Sequence, residues 1–492
     1  MFVFGLRNSW HNRTRRASLE LHACPGKAPV LKARRMNKHH DPLSSRREFL
    51  KTTGRLAAVS ALAGTALPHV HAAGSDLIQL ALIGCGGRGS GAALDALRTT
   101  SGPIKLVAMA DAYEHRLRRS YADLSKSMAA KMEVPEDRRF VGFDAYKKAM
   151  DCLKPGDVAI FATPPAFRWV HFHYAIGKRL NVFLEKPVTV DGPTTKRMLA
   201  LAEEAAAKNL KAGVGLMSRH ARPLQELQER LQNGEIGDLI LLRGYRMQGQ
   251  FGLAPKPSTI SELDYQVQRF HGFLWASGGI YSDNYIHIID HLCWMKNAWP
   301  IKAQALGGRH YKQSPSGTPF VDQNFDTYSV EYTFADGAKM LFDGRHMAGC
   351  LPIYSSYVHG SKGMAIAAKN GDCGAPSSIF KGQNPARSQR LWESQGSSSP
   401  YQNEWDDLIE AIRNDRPYNE VKRGAEASLV NSMGRMAAHT GQEITFDDMM
   451  ACEHEFAPGL DQLTSDSPAP VQPDATGRYP VPQPGITAKR EY

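Results

Sequence analysis

Six consecutive residues, Gly84-Cys85-Gly86-Gly87-Arg88-Gly89, limit what this chain can fold into more than any other feature. They follow a short apolar run, Leu77 to Ile83, and lead into Ala92 to Leu97, where apolar residues begin to recur at helical spacing. A G-x-G-x-x-G alone is weak evidence. Between a strand and a helix each glycine has a mechanical reason to be there. Gly84 permits the tight turn, Gly86 lets the backbone approach a pyrophosphate, and Gly89 allows close helix–strand packing. The positive end of the helix then favours the phosphates. A second apolar run, Ile104 to Ala110, ends at Asp111, 22 residues beyond Gly89. A carboxylate there can accept hydrogen bonds from the adenosine ribose hydroxyls and repels a 2′-phosphate, so NAD is expected rather than NADP. Arg88 is placed to pair with cofactor phosphate. The competing reading is a glycine turn with no ligand.

The rhythm of the following residues supports the first reading. Asp157 to Ala162 and Asn181 to Leu184 are further apolar runs, ending in Thr163-Pro164-Pro165 and Glu185-Lys186-Pro187. Short buried strands alternating with helical stretches call for right-handed crossovers and a parallel sheet. From about residue 216 longer strands appear, such as Leu239 to Met247. Asp326 to Phe334 turns at Ala335-Asp336-Gly337 into Ala338 to Phe342, which predicts an antiparallel hairpin. Helical patterns return at 401–414 and 421–439. The expected fold class is therefore α/β, an N-terminal Rossmann doubly wound parallel sheet followed by an α+β domain with a large, mostly antiparallel sheet. Residues 76–215 make the dinucleotide-binding domain, 216–455 the substrate and oligomerisation domain, and 456–492 a Pro-rich tail that is a surface strap or disordered.

Charge locates what precedes this. Residues 1–72 carry thirteen Lys/Arg and three Asp/Glu, so a net +10 of the chain's formal +11 sits there. The remainder is nearly neutral, which removes the electrostatic argument for a nucleic-acid partner. Ser44-Ser45-Arg46-Arg47-Glu48-Phe49-Leu50-Lys51 resembles the twin-arginine export motif. An apolar stretch, Leu56 to Leu67, and small residues at Ala72-Ala73 follow it in signal-peptide order. About a dozen apolar residues is too few for a stable span, which needs ~20. Residues 36–73 read as a signal peptide, with a periplasmic product. Residues 1–35 are an uncertain extension, and Met36 is an alternative start. The seven cysteines include no C-x-x-C pair, so neither a zinc knuckle nor a redox motif is expected; export would permit disulfides, but a chain with this much core does not require them and none is expected.

Glu185-Lys186-Pro187 at a strand end of a dinucleotide domain resembles the signature of the Gfo/Idh/MocA oxidoreductases. The resemblance runs from about Leu77 to Met450. It includes Thr163-Pro164 as a cofactor-contacting turn, Asn233-Gly234-Glu235-Ile236-Gly237 as the entry to the second domain, and Gly278-Gly279 followed by Asp283, His287 and Asp290. It implies a Lys–Asp–His constellation of Lys186, Asp283 and His287. It also implies cofactor contacts from Gly84, Gly86, Gly89, Asp111, Thr163, Pro164, Glu185 and Lys186, a small carbohydrate substrate, and a homodimer or homotetramer.

The residue types suit the chemistry without the resemblance. Hydride transfer from a carbinol carbon needs a base for the hydroxyl proton and donors that orient the oxygen. His287 is a plausible base. Asp283, four residues earlier, shares its face if the segment is helical, and can orient substrate or imidazole. Lys186 can donate to a developing alkoxide. His287 and Lys186 also have plain structural readings, as a core histidine and a solvated lysine. Tyr285 and Asp290 are weaker substrate-binding candidates, core packing and helix anchoring being the alternatives. Arg168, in Ala166-Phe167-Arg168, departs from the His-rich segment of export-tagged relatives and is either an anion contact or a structural ion pair. The expected function is NAD(P)-dependent oxidation of a sugar, polyol or derivative with a tightly bound, internally recycled cofactor. An NAD-dependent glycoside hydrolase of related fold and a catalytically idle carbohydrate binder are the alternatives.

Overall fold

In the computed structural model, which describes residues 76–492 except Tyr311, Pro315, Asp372, Gly374, Ala375 and Ser397, the apolar runs become parallel strands. These are β1 (Ile78–Ile83), β2 (Ile104–Asp111), β3 (Arg139–Val141), β4 (Val158–Phe161), β5 (Asn181–Leu184) and β6 (Ala212–Val214). They form one sheet in the order β3-β2-β1-β4-β5-β6, with every pairing parallel. The sequence shows unbroken apolar runs here because both faces of the sheet are covered. Leu80 and Leu82 pack on one side with Ala92, Leu97 and Trp405. Ala81 and Ile83 pack on the other with Phe161, Phe172 and Ile176. Strand order reverses between β1 and β4, and such a switch point leaves a crevice at the strands' carboxyl ends. Helix α1 (Gly87–Arg98) starts there with Gly86 as its N-cap, and α2 (Arg168–Gly177) follows β4.

The second sheet has nine strands: β7 (Leu239–Gln248), β8 (Lys302–Gly308), β9 (Thr327–Thr333), β10 (Lys339–His346), β11 (Ile353–Gly360), β12 (Gly363–Lys369), β13 (Ser378–Lys381), β14 (Arg390–Glu393) and β15 (Ile444–Thr445). Their order is β14-β13-β12-β11-β7-β10-β9-β8-β15. Only β7 and β10 pair in parallel. The hairpin at Ala335-Asp336-Gly337 forms as its turn chemistry predicts, Lys339 pairing with Thr333 and Gly337 taking φ +86°. Burial alternates along β9 and β10, the mark of a sheet covered on one face. Helices α3 (Glu262–Gln268), α4 (Gly279–Lys296), α5 (Pro400–Arg413) and α6 (Val421–Thr440) complete the elements that matter for the site. Tyr281, Ile288 and Leu292 of α4 and Met433 and Ala437 of α6 share the second core with Phe342 and Val330.

Two placements were beyond sequence order. Helix α5 covers the first sheet, with Trp405 stacked on Phe183 at 4.4 Å between centroids. Residues 456–492 are largely irregular but anchored: Phe456, Leu460, Val471, Tyr479 and Glu491 are buried. Gln266, Gln323 and Gly485 are bound across the segment, the first two donating to Val471 O and Pro480 O, the third to Thr440 O. This is the strap alternative. The export-signal and extension readings, residues 36–73 and 1–35, lie outside the described residues. Among the described residues no helix is long and apolar enough to cross a membrane.

Candidate active site

The carboxyl ends of the first sheet and the start of α4 enclose a cleft of about 420 Å³. Its glycines fall into two kinds. Gly84, at φ +95°, could not carry a Cβ, which would lie 2.6 Å from the carbonyl carbon of Ala162. A Cβ on Gly89 would lie 1.9 Å from Gly84 O. These two let strand and helix close on each other. Gly86 and Gly87 would meet nothing within 4 Å, so their backbone faces open cleft at the positive end of α1. Small residues, open space and unpaired helix-terminal N–H groups suit an anionic diphosphate, and the residues present fit a dinucleotide.

Asp111 borders the same cleft. Its Oδ2 accepts from Cys85 N at 2.7 Å and its Oδ1 from Tyr113 N at 2.9 Å. Burial raises its pKa, and these two backbone bonds oppose that rise. The carboxylate is thereby locked to the glycine loop, with lone pairs left for a ribose.

Arg88 lines the cleft and is also engaged by carboxylates. Its Nε lies 2.9 Å from Glu185 Oε1, off the hydrogen-bonding direction. Its Nη2 reaches Asp95 at 3.4 Å, and its guanidinium covers the Tyr401 ring. The buried Glu404 has its pKa pushed well up, by burial first and then by Glu185.

Arg168 is also structural in its main contacts. It is 2% exposed, donating from Nε to Glu185 O at 2.8 Å and from Nη1 to Thr163 Oγ1 at 2.9 Å. It ties the ends of β4 and β5 together beneath the cleft, and burial lowers its pKa to about 10. Thr163, Pro164, Glu185 and Lys186 are consequently presented along one edge.

Across from them stands α4. It starts at Gly279, so Asp283 and His287 are one turn apart on it and both line the cleft. The Lys186–Pro187 bond is cis. Lys186 Nζ donates to Asp283 O at 2.6 Å and lies 3.5 Å from Asp283 Oδ1. Asp283 Oδ2 is 3.0 Å from His271 Nε2. Burial alone would raise the Asp283 pKa, but Lys186, His271 and His287 together hold it well below the ordinary carboxylate range. An ionised carboxylate is thus gripped between a lysine and an imidazole.

Two weaker candidates do not reach the cleft. Tyr285 is wholly buried against Tyr281, Tyr328 and Phe342, because its position faces the second sheet. Asp290 accepts two bonds from Arg219, at 2.9 and 2.8 Å, and anchors α4 from behind. Trp275 is core as well, its Nε1 bonded to Gln266. His271 was missed by sequence reasoning. It lies in a short 3₁₀ turn, Phe270–Gly272, with no motif around it, and only the fold brings it to Asp283. Tyr113, Arg116, Phe270 and Tyr401 also line the cleft without sequence warning. Among the described residues no group of three or more His, Cys, Asp or Glu side chains could hold a metal ion.

No protein-family model matches the chain. An inositol 2-dehydrogenase of Corynebacterium glutamicum is 25% identical over 158 residues, 32% of this chain and 44% of that protein. The chain therefore aligns with less than half the length of this relative. In structure it resembles the myo-inositol 2-dehydrogenase of Lactobacillus plantarum, with a TM-score of 0.56 at 22% identity, over 75% of this chain and 99% of that one. It equally resembles a levoglucosan dehydrogenase solved with NADH and levoglucosan, with a TM-score of 0.57 at 16% identity over 75% and 99%. A parallel six-stranded sheet followed by a large, mostly antiparallel second sheet is thus the fold this chain shares with these dehydrogenases.

Proposed function

We propose that this protein is a nicotinamide-dependent oxidoreductase acting on a sugar, polyol or sugar derivative. The observation that carries the reading is the meeting, in one cleft with the open glycine loop, of Lys186, Asp283 and His287. Gly84, Gly86, Gly89, Asp111, Thr163, Pro164 and Glu185 would hold the dinucleotide, and Asp111 favours NAD over NADP. The bound cofactor supplies the hydride acceptor or donor.

The chain's own residues do the rest. A substrate C–OH losing hydride becomes C=O, and its hydroxyl proton must pass to a base. His287 is that base, and Lys186 Nζ donates to the oxygen as charge develops on it. Asp283 fixes the ammonium, its carbonyl accepting a hydrogen bond and its carboxylate standing 3.5 Å away as the counter-ion. Its negative charge favours a protonated His287 after transfer. Phe270 offers an apolar face, and His271 a hydrogen-bonding edge, which suit a polyhydroxylated ring.

Export by the twin-arginine route would carry the folded protein with its cofactor to the periplasm, where little free NAD is available for exchange. The cofactor would then be reduced and reoxidised within one cycle. Leu306, 79% exposed, and Leu341 lie on the uncovered face of the second sheet, and a homo-oligomer would cover them. Native mass spectrometry of the purified protein tests the reading, followed by a screen of sugars and polyols for absorbance change at the reduced-nicotinamide band. A bound dinucleotide and at least one reacting polyol are expected. Lack of both refutes the proposal.

A further inference from the structure

Outside the cleft, one buried cation touches both of its walls. Arg435, on α6, is fully buried. Its Nε donates to Glu491 Oε2 at 2.9 Å, and its Nη2 to Glu491 Oε1 and to Val190 O, each at 2.8 Å. Its Nη1 donates to Ser282 Oγ at 2.6 Å and to Gly278 O at 3.2 Å. A guanidinium has five N–H donors in a rigid fork, and these contacts use all of them. Val190 lies four residues beyond Lys186, and Ser282 immediately precedes Asp283. The fork therefore bonds to the Lys186 segment on one side and to the start of α4 on the other. Gly278 is shaped for it: at φ +75°, a Cβ there would stand 2.4 Å from Nη1.

The counter-ion comes from the strap. Glu491 is buried, and its Oε2 is also 2.6 Å from His439 Nδ1, whose ring is bonded through Nε2 to the Tyr328 hydroxyl at 2.9 Å. Removing a carboxylate from a buried cation leaves the charge uncompensated, and the cation relaxes toward other acceptors. Here the acceptors at hand are the backbone carbonyls that set the cleft.

We propose that Arg435, held by Glu491, is a positioning residue that fixes the spacing of Lys186 against Asp283 and His287. The catalytic part of this inference rests on the oxidoreductase reading above; the mechanical part does not. Lys186 reaches Asp283 across the cleft only through its own long side chain, whereas Arg435 bonds to backbone carbonyls on both sides, Val190 O and Gly278 O. Misplacement by about 1 Å in such a site costs on the order of 100-fold in rate.

The test is Glu491→Gln in the whole protein, with Glu491→Asp as the charge-retaining control and Arg435→Lys as a second break. Hydrogen-exchange mass spectrometry reads the brace without activity. Glu491→Gln is expected to speed exchange about 10-fold or more in residues 188–192 and 279–287 together, while 78–111 stays at the wild-type rate. With a reacting polyol, kcat falls about 10-fold or more while the NADH Kd stays within about twofold, and Glu491→Asp recovers part of the loss. Faster exchange confined to 484–492 with wild-type kcat overturns the proposal. So does uniform acceleration over the chain with proportional loss of binding and rate, and Arg435→Lys decides if Glu491→Gln does not accumulate. A wild-type protein that binds no dinucleotide but shows the paired exchange response sinks the oxidoreductase reading and leaves the brace standing.

Discussion

Gly86→Ala and Gly89→Ala should separate the two tasks of the glycine loop. Gly86 has φ −72° and is the N-cap of α1, so alanine fits its backbone and its Cβ meets no atom within 4 Å. The cost to folding is a poorer N-cap, about 1 kcal/mol, or about 2 °C in Tm for a protein this large. The new methyl instead occupies the space a pyrophosphate needs. Losing two charge-assisted hydrogen bonds of about 1.5 kcal/mol each removes about 3 kcal/mol, or roughly 100-fold in Kd. Gly89 is the opposite case. Its Cβ would be 1.9 Å from Gly84 O, where ordinary contact begins at 3.4 Å, so helix and strand must part by about 1.5 Å. Overpacking of this kind costs about 1–3 kcal/mol or more and should lower Tm by several degrees. Thermal unfolding without ligand and fluorescence titration with NADH measure the two effects. Wild-type NADH affinity in Gly86→Ala, or an unaltered Tm in Gly89→Ala, would refute this account of the loop.

Three further outcomes follow from the geometry. Lys186→Ala and His287→Ala should each lower kcat by about 100-fold or more while NADH binding stays within a few-fold, as single-turnover absorbance will show. Tyr285→Phe should change stability by less than about 1 kcal/mol, since its buried hydroxyl has no hydrogen-bond partner. Asp290→Asn should cost about 3–5 kcal/mol in denaturant unfolding by stranding Arg219, yet leave kcat per folded molecule near wild type; a specific kcat loss would return Asp290 to the site. For pH, the Glu491 carboxyl is lowered to about 2: burial opposes this, and Arg435 and His439 outweigh it. A depressed carboxyl stabilises above its unfolded value of about 4.5 and loses that stabilisation as pH falls toward 2. Tm should therefore drop through that window, and drop less steeply in Glu491→Gln; parallel slopes would contradict the assignment.

The strands of the first sheet were legible because burial on both faces forces unbroken apolar runs, and the glycine loop because Gly84 and Gly89 have no room for a Cβ. Lys186, Asp283 and His287 were also named from sequence, Lys186 beside a proline at a strand end, and Asp283 and His287 four residues apart after the Gly278-Gly279 pair. Arg88, Arg168, Tyr285 and Asp290 show the limit of that reading. Charge and aromaticity are visible in a sequence, but the neighbours that engage them are not. Glu185 and Asp95 take Arg88, Thr163 and Glu185 hold Arg168, the second sheet buries Tyr285, and Arg219 pairs Asp290. His271 and Glu491 carry no local signature at all. Local periodicity and turn chemistry thus determined which segments become strands, helices and phosphate-facing turns, since those preferences act over a few residues. The tertiary structure alone decided which charges meet, because pairs such as Arg435 with Glu491, 56 residues apart, and Lys186 with Asp283, 97 apart, exist only once packing has removed water and brought distant backbone together.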